Sequence, residues 1–296
     1  MGRSTILAAA AAAALAASPV AAAETVNLVL QTRVDADAGS EVFLADFASL
    51  DSFLASGSGG EGGSFIGLNI AGDYRIAGFD IYNDTPYLLL QTRADTGGGS
   101  ELFLADFDSL DSFLASGSGG EGGAFIGINI AGDYEVAGFD IYNDKPFLLL
   151  ETRADTGAGS ELFLADFTSL ASFLASGSGG EGGSFIGINI AADYKVAGFD
   201  IFEDKPYLLL QTRADTGAGS ELFLADFASL DSFLASGTGG EGGAFIGINI
   251  AGDYEVAGFD ILAKPDPIPE PATWAVMLLG FGAVGLALRR RTLRAA

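Results

Sequence analysis

Carboxylates are the only groups present in numbers that side-chain chemistry could draw on. The 296 residues include 39 Asp and Glu against 14 Lys and Arg, with no histidine and no cysteine. Those two absences remove thiolate nucleophiles, disulfides, zinc or haem sites of the usual ligand types, and any Ser-His-Asp relay. Asp35, Asp37 and Glu41 stand at relative positions one, three and seven of a Gly-containing loop, a spacing with some likeness to a calcium loop. In its later copies Asp95, Asp155 and Asp215 are followed two residues on by glycine, so the middle ligand is lost and a Gly-rich turn is the plainer reading. No cofactor is required by this pattern; calcium at Asp35, Asp37 and Glu41 is the one candidate, and an acidic calcium-dependent matrix protein is the alternative reading it would support.

A second set is Arg33, Arg93, Arg153 and Arg213, each at a strand–loop junction. An Arg–Asp pair tying each loop is the simple expectation; four arginines lining a ligand ring at one mouth of the fold is the sharper one. Glu61, Glu121, Glu181 and Glu241 lie between glycine pairs and read as solvated crossovers. Paired acids also serve glycoside hydrolysis, but that chemistry needs two carboxyls in unlike environments. Fourfold repetition makes environments alike, so a non-catalytic protein is expected. Tyr82, Tyr87, Tyr142 and Tyr207 recur at strand ends and suit packing better than sugar stacking.

Between Glu24 and Glu270 the net charge is −30. Such a surface repels phosphates and concentrates cations, which excludes nucleic acid as a partner.

The elements that position these residues come in copies. Gln31, Gln91, Glu151 and Gln211 each open the same phrase, at a fixed step of 60 residues. Residues 91–150 and 151–210 differ at 10 of 60 positions. A period of this length marks a repeat architecture. Each copy contains four strand-like runs, for example 124–130, 134–141, 147–153 and 161–167, joined by short turns. A short helical stretch follows, with Asp166 as the expected N-cap and Gly177 as the stop, and then a Gly-rich link. Runs such as FLLL and LFLADF are apolar on both faces, as in small sheets covered on both sides. Radially stacked blades do this, which points to an all-β fold with short helices: a four-bladed β-propeller.

Blades counted from the Gly-rich link start near Ser64, Ala124, Ser184 and Ala244. The last has two strands of its own, and residues 26–33 and 41–47 supply the other two, so the chain ends close the ring. An open solenoid or linear array is the rival, since periodicity alone does not show closure. Gly67, Gly127, Gly187 and Gly247 are expected where the strands crowd the axis.

The two ends carry addresses. Residues 1–23 have a basic start, an apolar run and Ala21-Ala22-Ala23, the pattern of a secretory signal peptide cleaved before Glu24. The repeat body spans 24–262 and a Pro-rich linker 263–271. From Ala272 to Leu288 there are 17 uncharged residues, at the short end of what spans a bilayer. Arg289, Arg290, Arg291 and Arg294 would hold the far end of this transmembrane segment, 272–296, in the cytoplasm.

Pro269-Glu270-Pro271, then Trp274-Ala275, the LLGFG at 278–282 and the arginine cluster together resemble the PEP-CTERM sorting signal in its PEPxxWA form, also described as an ice-binding-protein C-terminal domain. An ordinary single-span anchor would share the same insertion physics. The resemblance covers about the last 28 residues. It implies a Gram-negative bacterium and recognition of Pro269, Glu270 and Pro271 by an exosortase-type membrane protease. The product would be anchored in the inner membrane during sorting, and then placed at the cell surface or outside the cell. It also implies association with exopolysaccharide and biofilm. For the body, the comparison is with hemopexin-type propellers in architecture alone. An ice-binding role lacks support, because the body offers no flat array of regularly spaced threonines.

Overall fold

Each copy of the repeat builds three antiparallel strands, a short helix and a fourth strand. In the computed structural model the described residues are 24–33, 39–56, 62–93, 99–115, 122–153, 159–175, 182–213, 219–235 and 243–263. The chain runs β1 (Glu24–Thr32), β2 (Ser40–Phe47), α1 (Leu50–Ala55), β3 (Gly62–Ile70), then β4 (Tyr74–Tyr82), β5 (Thr85–Thr92), β6 (Ser100–Asp106), α2 (Leu110–Ala115) and β7 (Ala124–Ile130). The next copy gives β8 (Tyr134–Tyr142), β9 (Lys145–Thr152), β10 (Ser160–Asp166), α3 (Leu170–Ala175) and β11 (Gly182–Ile190). The last gives β12 (Tyr194–Phe202), β13 (Lys205–Thr212), β14 (Ser220–Asp226), α4 (Leu230–Ala235), β15 (Ala244–Ile250) and β16 (Tyr254–Ala263).

Four four-stranded sheets result, ordered β4-β5-β6-β7, β8-β9-β10-β11, β12-β13-β14-β15 and β16-β1-β2-β3. The first strand of each blade packs against the first strand of its two neighbours, so β4, β8, β12 and β16 line the axis. The ring closes through β1, which pairs antiparallel with β16 from Glu24↔Ala263 to Thr32↔Tyr254. The fold is the expected four-bladed β-propeller, not an open array.

The phase of the blades differs from the sequence reading by one strand. The strand after each helix finishes the blade it follows, so β7 pairs with β6 and not with β8. The closing blade therefore takes three strands from the front of the body and one from its rear. The three-residue link 131–133 suggested a hairpin, but it carries the chain from the rim of one blade to the axis of the next. Burial explains the difference. β7 alternates buried and exposed residues, as a rim strand does, whereas β8 is buried continuously through its middle.

The expected axial glycines are corrected with it. Gly127 lies in the rim strand, where the register shifts between Ser100↔Ile130 and Leu102↔Ile126. The crowded axis belongs to Gly78, Gly138, Gly198 and Gly258. A Cβ on each would stand 2.5 Å from the Cβ of Phe139, Phe199, Phe259 and Phe79 respectively, a closed cycle of contacts around the four inner strands.

The helix cap also differs. Ser169, not Asp166, caps α3: the Ser169 hydroxyl accepts from the Ser172 N–H at 3.1 Å, and the Ser172 hydroxyl accepts from the Ser169 N–H at 3.1 Å. A serine three residues on completes a capping box, which an aspartate four residues before the helix cannot do. Each helix then plugs one phenylalanine between blades. Phe173 is fully buried and lies 4.8 Å from Phe167 and 5.5 Å from Phe139, ring centre to ring centre. The apolar core is accordingly divided into four parts, one between each pair of neighbouring blades.

Two outcomes test this packing. Gly138→Ala forces a methyl into Phe199, and should lower unfolding free energy by about 2–3 kcal/mol in urea titrations. The hairpin position held by Asn83 (φ 52°) and Asn143 (φ 52°) is Glu203 (φ 51°) in the third blade. Glu is poorly suited to the left-handed region, so Glu203→Asn should raise stability by up to about 1 kcal/mol.

Candidate functional site

The inner strands share the phrase Gly-Phe-Asp-Ile, and the aspartate follows the crowded glycine by two residues. Alternation therefore puts Asp80, Asp140, Asp200 and Asp260 on the same side of their strands as that glycine. All four are buried, with 3–4% of their surface exposed. Each accepts a backbone N–H from the next blade: Asp80 from Ile141 (3.1 Å), Asp140 from Ile201, Asp200 from Ile261 and Asp260 from Ile81. One oxygen each of Asp80, Asp200 and Asp260 lie within 4.8 Å of one another. Asp260 Oδ2 also accepts from Asn27 Nδ2 at 3.2 Å, while Asp140 Oδ2 and Asp200 Oδ2 are buried without an N–H donor, their carboxyl groups within hydrogen-bonding reach of each other.

Burial pushes these carboxyls up, and their mutual repulsion pushes Asp80, Asp140 and Asp200 further, well above the usual range. Asp260 is raised to about 7, chiefly by burial and despite the Asn27 amide. Four like groups in one dry place hold protons or a cation. An all-oxygen donor set suits a hard cation and not zinc or copper.

The other end of the same inner strands is charged differently. Arg75, Glu135, Lys195 and Glu255 occupy equivalent positions, alternating in sign. Arg75 Nη2 lies 3.4 Å from Glu135 Oε2, and Lys195 Nζ lies 2.6 Å from Glu255 Oε2. Burial lowers the Arg75 pKa, opposed by Glu135 and Glu255. Burial would raise Glu255, but the Lys195 ammonium reverses this and holds it below its ordinary value. That mouth neutralises itself, and the aspartate end does not.

Arg33, Arg93, Arg153 and Arg213 are half-buried ties between blades. Each guanidinium Nε donates to the carbonyl that opens the inner strand of its own blade, Tyr254, Tyr74, Tyr134 and Tyr194 in turn. Each Nη2 donates to a serine of the preceding blade, Ser220, Ser40, Ser100 and Ser160. Arg213 also bonds Glu151 Oε1 at 2.6 Å, yet burial outweighs this and leaves the Glu151 carboxyl above its ordinary value. Position 31 and its copies are pins of the same kind. Gln31, Gln91 and Gln211 accept the N–H of Ile76, Val136 and Val256, and Glu151 accepts that of Val196, all in the next blade.

Of the calcium-loop candidates, Asp35 and Asp37 lie outside the described residues. Glu41 is exposed, and its N–H donates to the Thr32 hydroxyl at 3.0 Å. Tyr82 and Tyr142 donate to Asp144 and Asp204 in the turn of the next blade, at 2.6 and 2.5 Å. The axial aspartates escaped the sequence reading because each sits alone in an apolar run. Their signal was available: one unpaired acid inside a strand otherwise buried on both faces, four times over.

Residues 267–291 match the family model described as the PEP-CTERM protein-sorting motif. The chain carries a PEP-CTERM sorting signal. That motif contains Pro269, Glu270, Pro271, Trp274, Arg289, Arg290 and Arg291, all outside the described residues. It marks an exported protein handled by an exosortase at the membrane. Among the described residues no helix is long and apolar enough to cross a membrane; the expected span 272–288 and the signal peptide 1–23 lie outside them. No curated protein matches the chain. Solved structures that do include a native arabinanase of Bacillus subtilis, at 12% identity and TM-score 0.40, covering 74% of this chain and 76% of that one. A thermostable family-43 glycoside hydrolase matches at 13% identity and TM-score 0.41, with 73% and 69% covered. Likeness this distant says nothing about activity.

The raised aspartates give an unusual pH dependence. Their folded pKa values lie above the unfolded value of about 3.9, so the stability they allow is complete below that pH. It is lost as pH rises through the folded values, about 7 for Asp260. Glu151 acts in the same direction. With chelator present, the melting temperature should fall by on the order of 5 °C between pH 5 and pH 8, and Asp260→Asn should flatten that slope.

Proposed function

We propose that the chain is a non-catalytic protein of the cell surface or extracellular matrix, whose propeller is a binding or structural module associated with exopolysaccharide. The observation that carries the reading is the sorting motif at 267–291 behind a strongly acidic body. Export followed by membrane sorting delivers that body to the outer face of the cell. There its charge disfavours phosphate and anionic lipid and favours neutral or cation-bridged polymers.

Two features support a role without catalysis. The clustered acids at the axis are almost wholly buried, whereas a hydrolase needs two carboxyls that its substrate can reach. The arginines at the strand–loop junctions are engaged between blades and leave a structural task as their simplest use. The tail acts as an address and transient anchor.

Mass analysis of the exported protein tests the processing. The mature chain should start at Glu24 and lack the basic tail, and replacing Pro269, Glu270 and Pro271 together by alanine should leave an unprocessed, membrane-held form. A glycan array with the processed protein tests the partner: binding of neutral polysaccharide, or of acidic polysaccharide when a divalent cation is added, without sugar release supports the reading. Sugar release that disappears when a body carboxylate is replaced would overturn the non-catalytic part.

A further inference from the structure

We propose that the axial aspartates Asp80, Asp200 and Asp260 hold one calcium ion per chain. This is a different place from the hairpin loop of Asp35, Asp37 and Glu41, and the proposal does not depend on where the protein is exported or what it binds outside.

The geometry is that of a ligand set with no counter-charge of its own. Three carboxylate oxygens from three blades lie within 4.8 Å of one another, a spacing that one ion with calcium–oxygen distances of about 2.3–2.6 Å spans with small side-chain shifts. A backbone N–H of the next blade holds each of these carboxylates in place, and Asp260 Oδ2 also accepts from Asn27 Nδ2. Asp200 Oδ2 and Asp140 Oδ2 are buried with no N–H donor, and their two carboxyl groups lie within hydrogen-bonding reach of each other. Buried polar oxygens without partners are uncommon in folded proteins, and a cation satisfies them where a further protein donor is lacking. Every donor is a carboxylate oxygen, which selects a hard ion over zinc or copper. A dry site that is already lined by protein groups suits calcium better than magnesium, which keeps several waters and a tighter shell.

The end of the inner strands nearest these aspartates is itself acidic. The two-residue turns that follow those strands carry Asp84, Asp144 and Asp204, so an approaching cation meets acids first. The opposite mouth, closed by the alternating ring of Arg75, Glu135, Lys195 and Glu255, offers no such attraction.

The test is isothermal titration of the full chain, purified in detergent and stripped with chelator, against calcium chloride, read beside its melting temperature. One calcium per chain should bind at the axis, and saturation should raise the melting temperature by on the order of 5–10 °C. The triple variant Asp80→Asn, Asp200→Asn, Asp260→Asn keeps the N–H acceptors and loses the charge, so it should fold and lose that site. Should it fail to fold, the single Asp200→Asn decides, with an expected affinity loss of at least tenfold. Glu41→Gln should leave the axial site unchanged. Absence of calcium uptake by the wild-type chain, or uptake undiminished in the aspartate variants, overturns the proposal, as does equal affinity for magnesium.

Discussion

The molecule depends on four strands meeting around one axis with almost no room between them. Gly78, Gly138, Gly198 and Gly258 each face the Phe of the next inner strand, so closely that even a methyl group would collide. Once the strands are that close, the aspartate two residues on reaches the backbone of the next blade. Its bond to Ile141, Ile201, Ile261 or Ile81 then locks neighbouring blades in one relative height. The buried Gln and Glu side chains at positions 31, 91, 151 and 211 repeat this across the blade interfaces, and the arginines after them do so once more. Each blade is thus tied to the next by polar bonds at the axis and by a phenylalanine-rich core farther out.

Near-identity of the copies turns any charge on an inner strand into a ring of charges. At one end the copies have diverged so that the signs alternate, from Arg75 to Glu135, Lys195 and Glu255, and the ring pairs within itself. At the other end all four copies keep aspartate. Like charges that close, away from water, raise one another's proton affinity, so this end is neutralised by protons or by a cation and not by pairing within the ring. The contrast between two rings on the same strands locates the electrostatically unfinished part of the molecule.

Much of the architecture could be read from the residues. The 60-residue step, the two-faced apolar runs and the strand-like pieces at both chain ends imply a closed four-bladed ring, and β1 against β16 provides it. The phase could not be read from turn lengths. The links at 83–84 and 131–133 are both short, yet one is a hairpin within a blade and the other crosses between blades. Only burial separates them, and its trace in sequence is faint: AFIGINI alternates while YEVAGFDIY does not. The sorting signal needed no fold at all, since a linear motif is recognised as a string of residue types.

Sequence alone determined the repeat, the fold class, the acidity of the body and the address at its end, because these follow from local pattern and composition. The tertiary structure decided which strands face the axis, which glycines are crowded there and which acids gather. Asp80, Asp200 and Asp260 are separated by 60 or more residues in the chain, and each alone reads as an ordinary strand residue. Their charges become a site only when four blades close and exclude the water that would otherwise have screened them.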